Sequence, residues 1–281
     1  MFKILAGVAE SRQSAVVLAN IKSNGGALPS RRNEILKLPT WLCLLVVMFS
    51  SALNHSVAAA DSFAKGLKAG RAGDFAQATK EFQSSLAAQP AAGTLLNLGL
   101  AHWRNGHVGE AILCWEQSAW LNPFEQDARN NLVFARAEMQ VEPLELAWYE
   151  LASTWLPANV WAAILCGSLW LAVGMMILPG VFRWRKARWH QAVAALGLGV
   201  FLLSLPPNLG VIARAQLGIA LGKKSPLRLT PTQEAEVVSW LTPGEPVRQL
   251  RQWGEYRFVR TAHGSGWIHR REVGVFSGPL L

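Results

Sequence analysis

The stretch "LASTWLPANVWAAILCGSLWLAVGMMILPGVF" (residues 151–182) contains no Asp, Glu, Lys or Arg across 32 residues, and a second charge-free run covers residues 191–213. A helix rises 1.5 Å per residue, so about 20 apolar residues cross about 30 Å of hydrocarbon. Both runs meet that length, and membrane-crossing helices are expected at 158–182 and 191–213. Buried helices of a soluble core rarely extend this far without a charge. Pro206 and Pro207 interrupt the second run and predict a kink or an early exit. Trp155, Trp161, Trp184 and Trp189 fall near the expected ends, where indole rings favour the headgroup layer.

Between the two runs lies "FRWRKARWHQ" (residues 182–191), with Arg183, Arg185, Lys186 and Arg188. A short basic loop joining two spans resists translocation, so residues 183–190 are expected on the cytoplasmic side. Charge elsewhere comes in blocks. Residues 61–156 carry seven basic and eleven acidic side chains, whereas residues 214–281 carry ten basic and five acidic. That alternation, within a net charge of +9, excludes a uniformly basic nucleic-acid binder. With the loop inside, both flanking domains are expected outside the cytoplasm.

Residues 1–60 read as an N-terminal extension and signal segment. Arg31, Arg32 and Lys37 precede an apolar stretch at 38–53, and Ala58-Ala59-Ala60 forms a cleavage pattern. The long leader before the basic flank is expected if translation starts further downstream. An uncleaved anchor gives the same topology. The three cysteines, Cys43, Cys114 and Cys166, show neither a disulfide framework nor metal-ligand spacing, and read as small apolar fillers.

Residues 61–140 contain a repeat. Gly66/Gly99, Gly73/Gly106, Ala78/Ala111, Phe82/Trp115 and Pro90/Pro123 are each 33 residues apart. A helix with glycine at its start, a glycine-centred turn, then small and aromatic core positions ended by proline describe a helix–turn–helix unit. A half unit, "NPFEQDARNNLVFARAEMQ", closes the stack with apolar Leu132, Val133 and Phe134. The pattern resembles tetratricopeptide repeats, one residue short of their usual period. The resemblance implies a concave groove for a peptide or protein, with Arg71, Trp103, Arg104, Arg129 and Arg136 facing it. Asn97 and Asn130 hold equivalent places. An extended acidic peptide would suit such a groove; solvated arginines balancing the domain's acidic excess are the competing account. Residues 141–157 read as an amphipathic linker helix.

Beyond Arg214 the composition turns to short alternating segments, with turns at Pro243-Gly244, Trp253-Gly254 and His263-Gly264. Five strands within residues 222–277 are expected to form a small barrel. Leu227, Arg228, Leu229, Leu241, Gly244, Val247, Trp253, Tyr256, Val259, Gly266, Trp267, Ile268 and Val273 resemble the bacterial Src-homology-3-like domain. Relatives bind cell-wall peptide or protein segments, which implies a groove lined by Trp253 and Tyr256. Trp267 reads as core, and Arg270 and Arg271 as solvated. His263 and His269 have no expected catalytic or metal partner.

The expected fold is thus multidomain: an α-helical tetratricopeptide repeat domain, a transmembrane α-hairpin and a small all-β SH3-like barrel. The order resembles the BatE-type family of the bacterial aerotolerance (Bat) operon, most closely at "NPFEQDARNNLVFARA". That resemblance implies partnership with von Willebrand A-domain Bat proteins and a MoxR-type ATPase in an envelope or stress function. No nucleophile–base pair, metal cluster or phosphate loop is seen in the sequence, so a non-enzymatic scaffold without cofactor or metal is expected. A peptidoglycan sensor acting through the SH3-like domain is the alternative.

Overall fold

The structure is a computed structural model that describes residues 58–181 and 189–277. The signal segment up to residue 57 and most of the basic loop, residues 183–188, lie outside the described residues. Eight helices and seven strands are present among the described residues: α1 (58–71), α2 (Phe75–Ala88), α3 (Ala92–Arg104), α4 (Val108–Leu121), α5 (Gln126–Met139), α6 (Trp148–Ala152), α7 (Ala158–Val181) and α8 (Trp189–Arg214). The strands are β1 (Leu217–Ala220), β2 (Ser225–Arg228), β3 (Val237–Leu241), β4 (Pro246–Trp253), β5 (Tyr256–Thr261), β6 (Gly264–His269) and β7 (Val273–Val275).

The first four helices form two like pairs. Gly73 and Gly106 turn each pair at φ +83° and +78°, a left-handed conformation that glycine adopts without steric cost. Ala78 and Ala111 are fully buried beneath those turns, and Phe82 and Trp115 are almost so. A Cβ on Gly66 would lie 2.6 Å from the Phe82 ring, and one on Gly99 would lie 2.5 Å from Trp115. Both glycines lie inside their helices rather than at the expected start, and each gives up a side chain so that the aromatic of the partner helix can seat against its backbone. Pro90 and Pro123 follow the ends of α2 and α4. The 33-residue spacing thus corresponds to a helical repeat in three dimensions. α5 packs on α4 as a lone third member. Of its three apolar residues, Leu132 is buried and Val133 is exposed. Phe134 stacks on Trp103 with 5.7 Å between ring centroids.

α5 ends at Gln140, which adopts φ 54°, and Pro143 prevents resumption of the helix. The expected linker helix over 141–157 is therefore an extended segment followed by the five-residue α6. α6 lies against α8, and the backbone of Tyr149 and the side chain of Ser153 pack where a side chain on Gly210 would sit.

α7 and α8 are long and apolar enough to cross a bilayer, over Ala158–Leu178 and Trp189–Arg214. Only 11% and 22% of their apolar stretches are buried within the chain, unlike the core helices of a soluble protein. They pack closely where small residues meet: a Cβ on Gly197 would be 3.1 Å from the Ala172 nitrogen and the Ser168 carbonyl oxygen. α8 continues through Pro206 and Pro207 to Arg214, so the expected early exit does not occur. Just beyond the prolines, the Asn208 amide donates to Ser204 in its own helix and to the Trp161 carbonyl oxygen of α7, tying the hairpin together there.

The sheet is antiparallel, in the order β3-β2-β6-β5-β4-β1-β7. Ala220, Leu227, Leu241, Val247, Val259, Ile268 and Val273, one from each strand, share a single core cluster. All seven are buried although no helix residue belongs to the cluster, so the strands cover this core themselves, as a curved sheet does. It begins at Leu217 rather than near residue 222, only two residues after α8, and holds seven strands rather than five. β1 is buried along its whole length between β4 and β7. Its apolar residues follow the second membrane-length run so closely that composition alone assigned them to the connection. Trp267 is only half-buried, stacked on Phe258 at 5.2 Å, and Ile268 beside it takes the core place.

Helices and sheet share a second core. Ala111, Ile112, Leu113 and Trp115 of α4 meet Leu132 and Ala135 of α5, Leu217 and Ile219 of β1, and Phe276. Gly109 rests on the Ala220–Leu221 backbone, Ile112 fills the space beside Gly244, and Leu113 that beside Gly274. Each fully buried leucine or isoleucine contributes about 1.5–3 kcal/mol. The repeats and the sheet are therefore packed as one body.

Candidate functional site

The residues expected to face a groove separate into two groups. Arg71 and Arg104 end α1 and α3, the first helices of successive pairs, and both are exposed. No ion pair holds either of them among the described residues, which leaves both guanidiniums available to a partner. Asn130 is exposed on α5. Asn97, its equivalent in the repeat, donates its amide to the Gly93 carbonyl oxygen at 2.7 Å within its own helix. Trp103 is half-buried between Trp115 and Phe134, where it extends the shared core. Arg129 donates to the Gln126 amide oxygen at 3.0 Å, and Arg136 pairs with Glu116 of α4.

Arg129 and Arg136 belong instead to a charged junction below the repeats, where α4, α5, α6, α8 and β4 converge. Arg214, the last residue of α8, lies over the Trp120 ring at 5.0 Å and donates to the Ser153 hydroxyl at 3.2 Å. Glu150 of α6 accepts two bonds from the Arg248 guanidinium, at 2.7 and 3.1 Å, and a third from the Ala147 N–H at 2.9 Å. Its side chain is 2% exposed. Burial opposes the charge on Glu150, but the hydrogen bonds from Arg248 and Ala147, with the charges of Arg248 and Arg214, hold its carboxyl below the ordinary range. Burial pushes Glu116 up, against the pull of Arg136 and Arg214. The junction joins a membrane-length helix to the repeats through Arg214 over Trp120, and α6 to the sheet through Glu150 and Arg248. A cavity of about 390 Å³ adjoins it, with Glu116, Arg129, Arg136 and Arg214 in its wall.

On the sheet, Trp253 and Tyr256 face each other in register across the β4–β5 hairpin, and Tyr256 opposes His269 of β6. The Tyr256 and His269 rings meet edge to face at 5.4 Å, while Trp253 is 72% exposed. The structure therefore brings these two expected residues together in one aromatic row. His263 sits 3.6 Å from the buried Glu245, a partner that the sequence did not suggest. Arg270 pairs with Glu255 at the surface. A groove of about 680 Å³ runs between the 140–145 segment and the sheet, with Glu142, Arg260 and His263 in its walls.

Glu116, Glu150, Arg214 and Arg248 were not singled out from the sequence. A signal existed: Glu116 in "ILCWEQSAW" and Glu150 in "LAWYELAS" are lone carboxylates among apolar residues, where burial requires a partner. Which cation answers each one depends on tertiary packing. Comparison with protein-family models, curated proteins and solved structures returned no match.

Proposed function

We propose that this chain is a non-enzymatic membrane scaffold that presents tetratricopeptide-like repeats and a Src-homology-3-like barrel together on the extracytoplasmic side of a bacterial inner membrane. The observation that carries this reading is the core shared by α4, α5, β1 and Phe276, at the end of two apolar helices. Such packing gives two recognition surfaces a fixed relation to each other, which suits assembly rather than turnover. The exposed Arg71 and Arg104 at like positions favour an acidic partner segment. The resemblance to BatE-type proteins suggests von Willebrand A-domain Bat proteins as that partner, in an envelope stress or aerotolerance complex with a MoxR-type ATPase. Copurification of such a protein with the full chain, lost in the Arg71→Glu/Arg104→Glu variant while the fold persists, is the expected result. Undiminished capture would remove the repeats as the docking face. Reporter fusions after Ser277 test the sidedness.

A second reading, a peptidoglycan sensor, is favoured by the exposed Trp253 beside Tyr256, since an indole face stacks on sugar or peptide ligands. Binding of the full chain to isolated sacculi, lost in Trp253→Ala, would support it. Binding unaffected by that change would discard it.

A further inference from the structure

The charged junction contains more cation than its own residues neutralise. Four guanidiniums, Arg129, Arg136, Arg214 and Arg248, meet two carboxylates, Glu116 and Glu150. Arg248 pairs with Glu150, which also acts at longer range on Arg214. The wall of the 390 Å³ cavity itself holds Arg129, Arg136 and Arg214 with Glu116 as its one carboxylate. Among the described residues the hydrogen-bond partner of Arg129 is the neutral Gln126, although Glu125 and Asp127 precede it on the chain. Arg136 and Arg214 are half-buried, where positive charge is costly unless anions compensate it, and guanidinium groups match the oxygen geometry of phosphate.

The cavity's place in the fold indicates which anion. Arg214 is the last residue of α8, and Leu151 and Thr154, also in the wall, lie just before α7 starts at Ala158. Trp148 and Trp155, both strongly exposed, flank the same segment, as expected at headgroup depth. Guanidiniums at headgroup depth lie within reach of lipid phosphates, which they bind in charge-assisted pairs.

We propose that the cavity walled by Arg129, Arg136 and Arg214 is a binding site for a phosphate group, supplied by a phospholipid headgroup or by free phosphate. Arg129, the most exposed of the three, is the entry-side donor, and Arg136 and Arg214 are the inner ones. The site goes beyond the scaffold reading and is tested apart from it, because it does not depend on what the repeats capture.

The test uses the full chain in an uncharged detergent. Native mass spectrometry measures retention of phosphatidylglycerol against diacylglycerol, which lacks the phosphate, and a thermal-shift titration measures inorganic phosphate. Retention of phosphatidylglycerol over diacylglycerol, about tenfold weaker in Arg129→Gln and unchanged in Lys80→Gln on the far helix α2, is the expected result. That factor corresponds to about 1.4 kcal/mol, the lower end for one charge-assisted hydrogen bond. Phosphatidylglycerol binding without a phosphate shift assigns the lipid as the source. A phosphate shift that is lost in Arg129→Gln and competes with the lipid assigns the free ion. Equal retention of both lipids with no phosphate shift overturns the site, as does equal weakening by Lys80→Gln. Arg136→Gln, combined with Glu116→Gln so that no carboxylate is left unpaired, must weaken binding as well; normal affinity in that folded variant also overturns it.

Discussion

Replacing Glu150 by alanine removes the carboxylate that links α6 to the sheet. Three hydrogen bonds are lost, two from Arg248 and one from the Ala147 N–H. Breaking a buried ion pair by removing one partner costs about 3–5 kcal/mol, because the other charge remains. The Arg248 side chain is 23% exposed and regains some water, so the low end applies, about 3 kcal/mol. For a body of this size that lowers the melting temperature by about 6–12 °C. Scanning fluorimetry on the detergent-solubilised full chain reads the shift, with Arg248→Ala and the double variant completing a cycle. The double variant should be less damaged than the sum of the singles by more than about 1 kcal/mol. pH gives an independent signature. The unfolded carboxyl titrates at the ordinary value, about 4.3, and the folded one lies below it. The stabilisation is therefore complete above the unfolded value and is lost as pH falls through the folded one. Wild type should lose more stability than Glu150→Ala over that acidic window. A melting temperature within about 2 °C of wild type, or strictly additive single effects, would refute the reasoning.

Gly99→Ala forces a methyl group against Trp115, and overpacking of about 1–3 kcal/mol should exceed the helix-propensity gain of about 1 kcal/mol; a melt above wild type would contradict the seating of the indole. Gly66→Ala should behave alike, since Phe82 meets it in the same way. Cys114 is buried, and burial pushes its thiol well above the ordinary range. Maleimide should therefore leave Cys114 unmodified in the folded chain and label it only in denaturant, with peptide mapping as the readout. Trp253→Ala removes an exposed ring and should shift the melting temperature by less than about 2 °C, so any lost binding would report on contact rather than folding.

Much of the architecture was legible in one dimension because its causes are local. Thirty-two residues without charge are costly to leave in water whatever surrounds them, and glycine is the residue that turns a chain at positive φ most readily, as Gly73 and Gly106 do. The alternation in β4 and β5 marked those strands for the same kind of reason. What escaped depends on partners distant in sequence. β1 falls by composition into the connection between the second span and the barrel, because its four buried residues do not alternate, a pattern that only the flanking β4 and β7 explain. The linker was read as one helix, since an amphipathic pattern says nothing of the left-handed turn at Gln140. Arginines 129 and 136 were identified as candidate residues but assigned to a groove, because the sequence shows a cation's presence and not the carboxylate it meets. By itself, then, the sequence determined which segments avoid water and where the chain turns. Only the tertiary structure decided that repeats, hairpin and sheet converge on one junction, because ion pairing and core sharing depend on distances in space that no sequence spacing encodes.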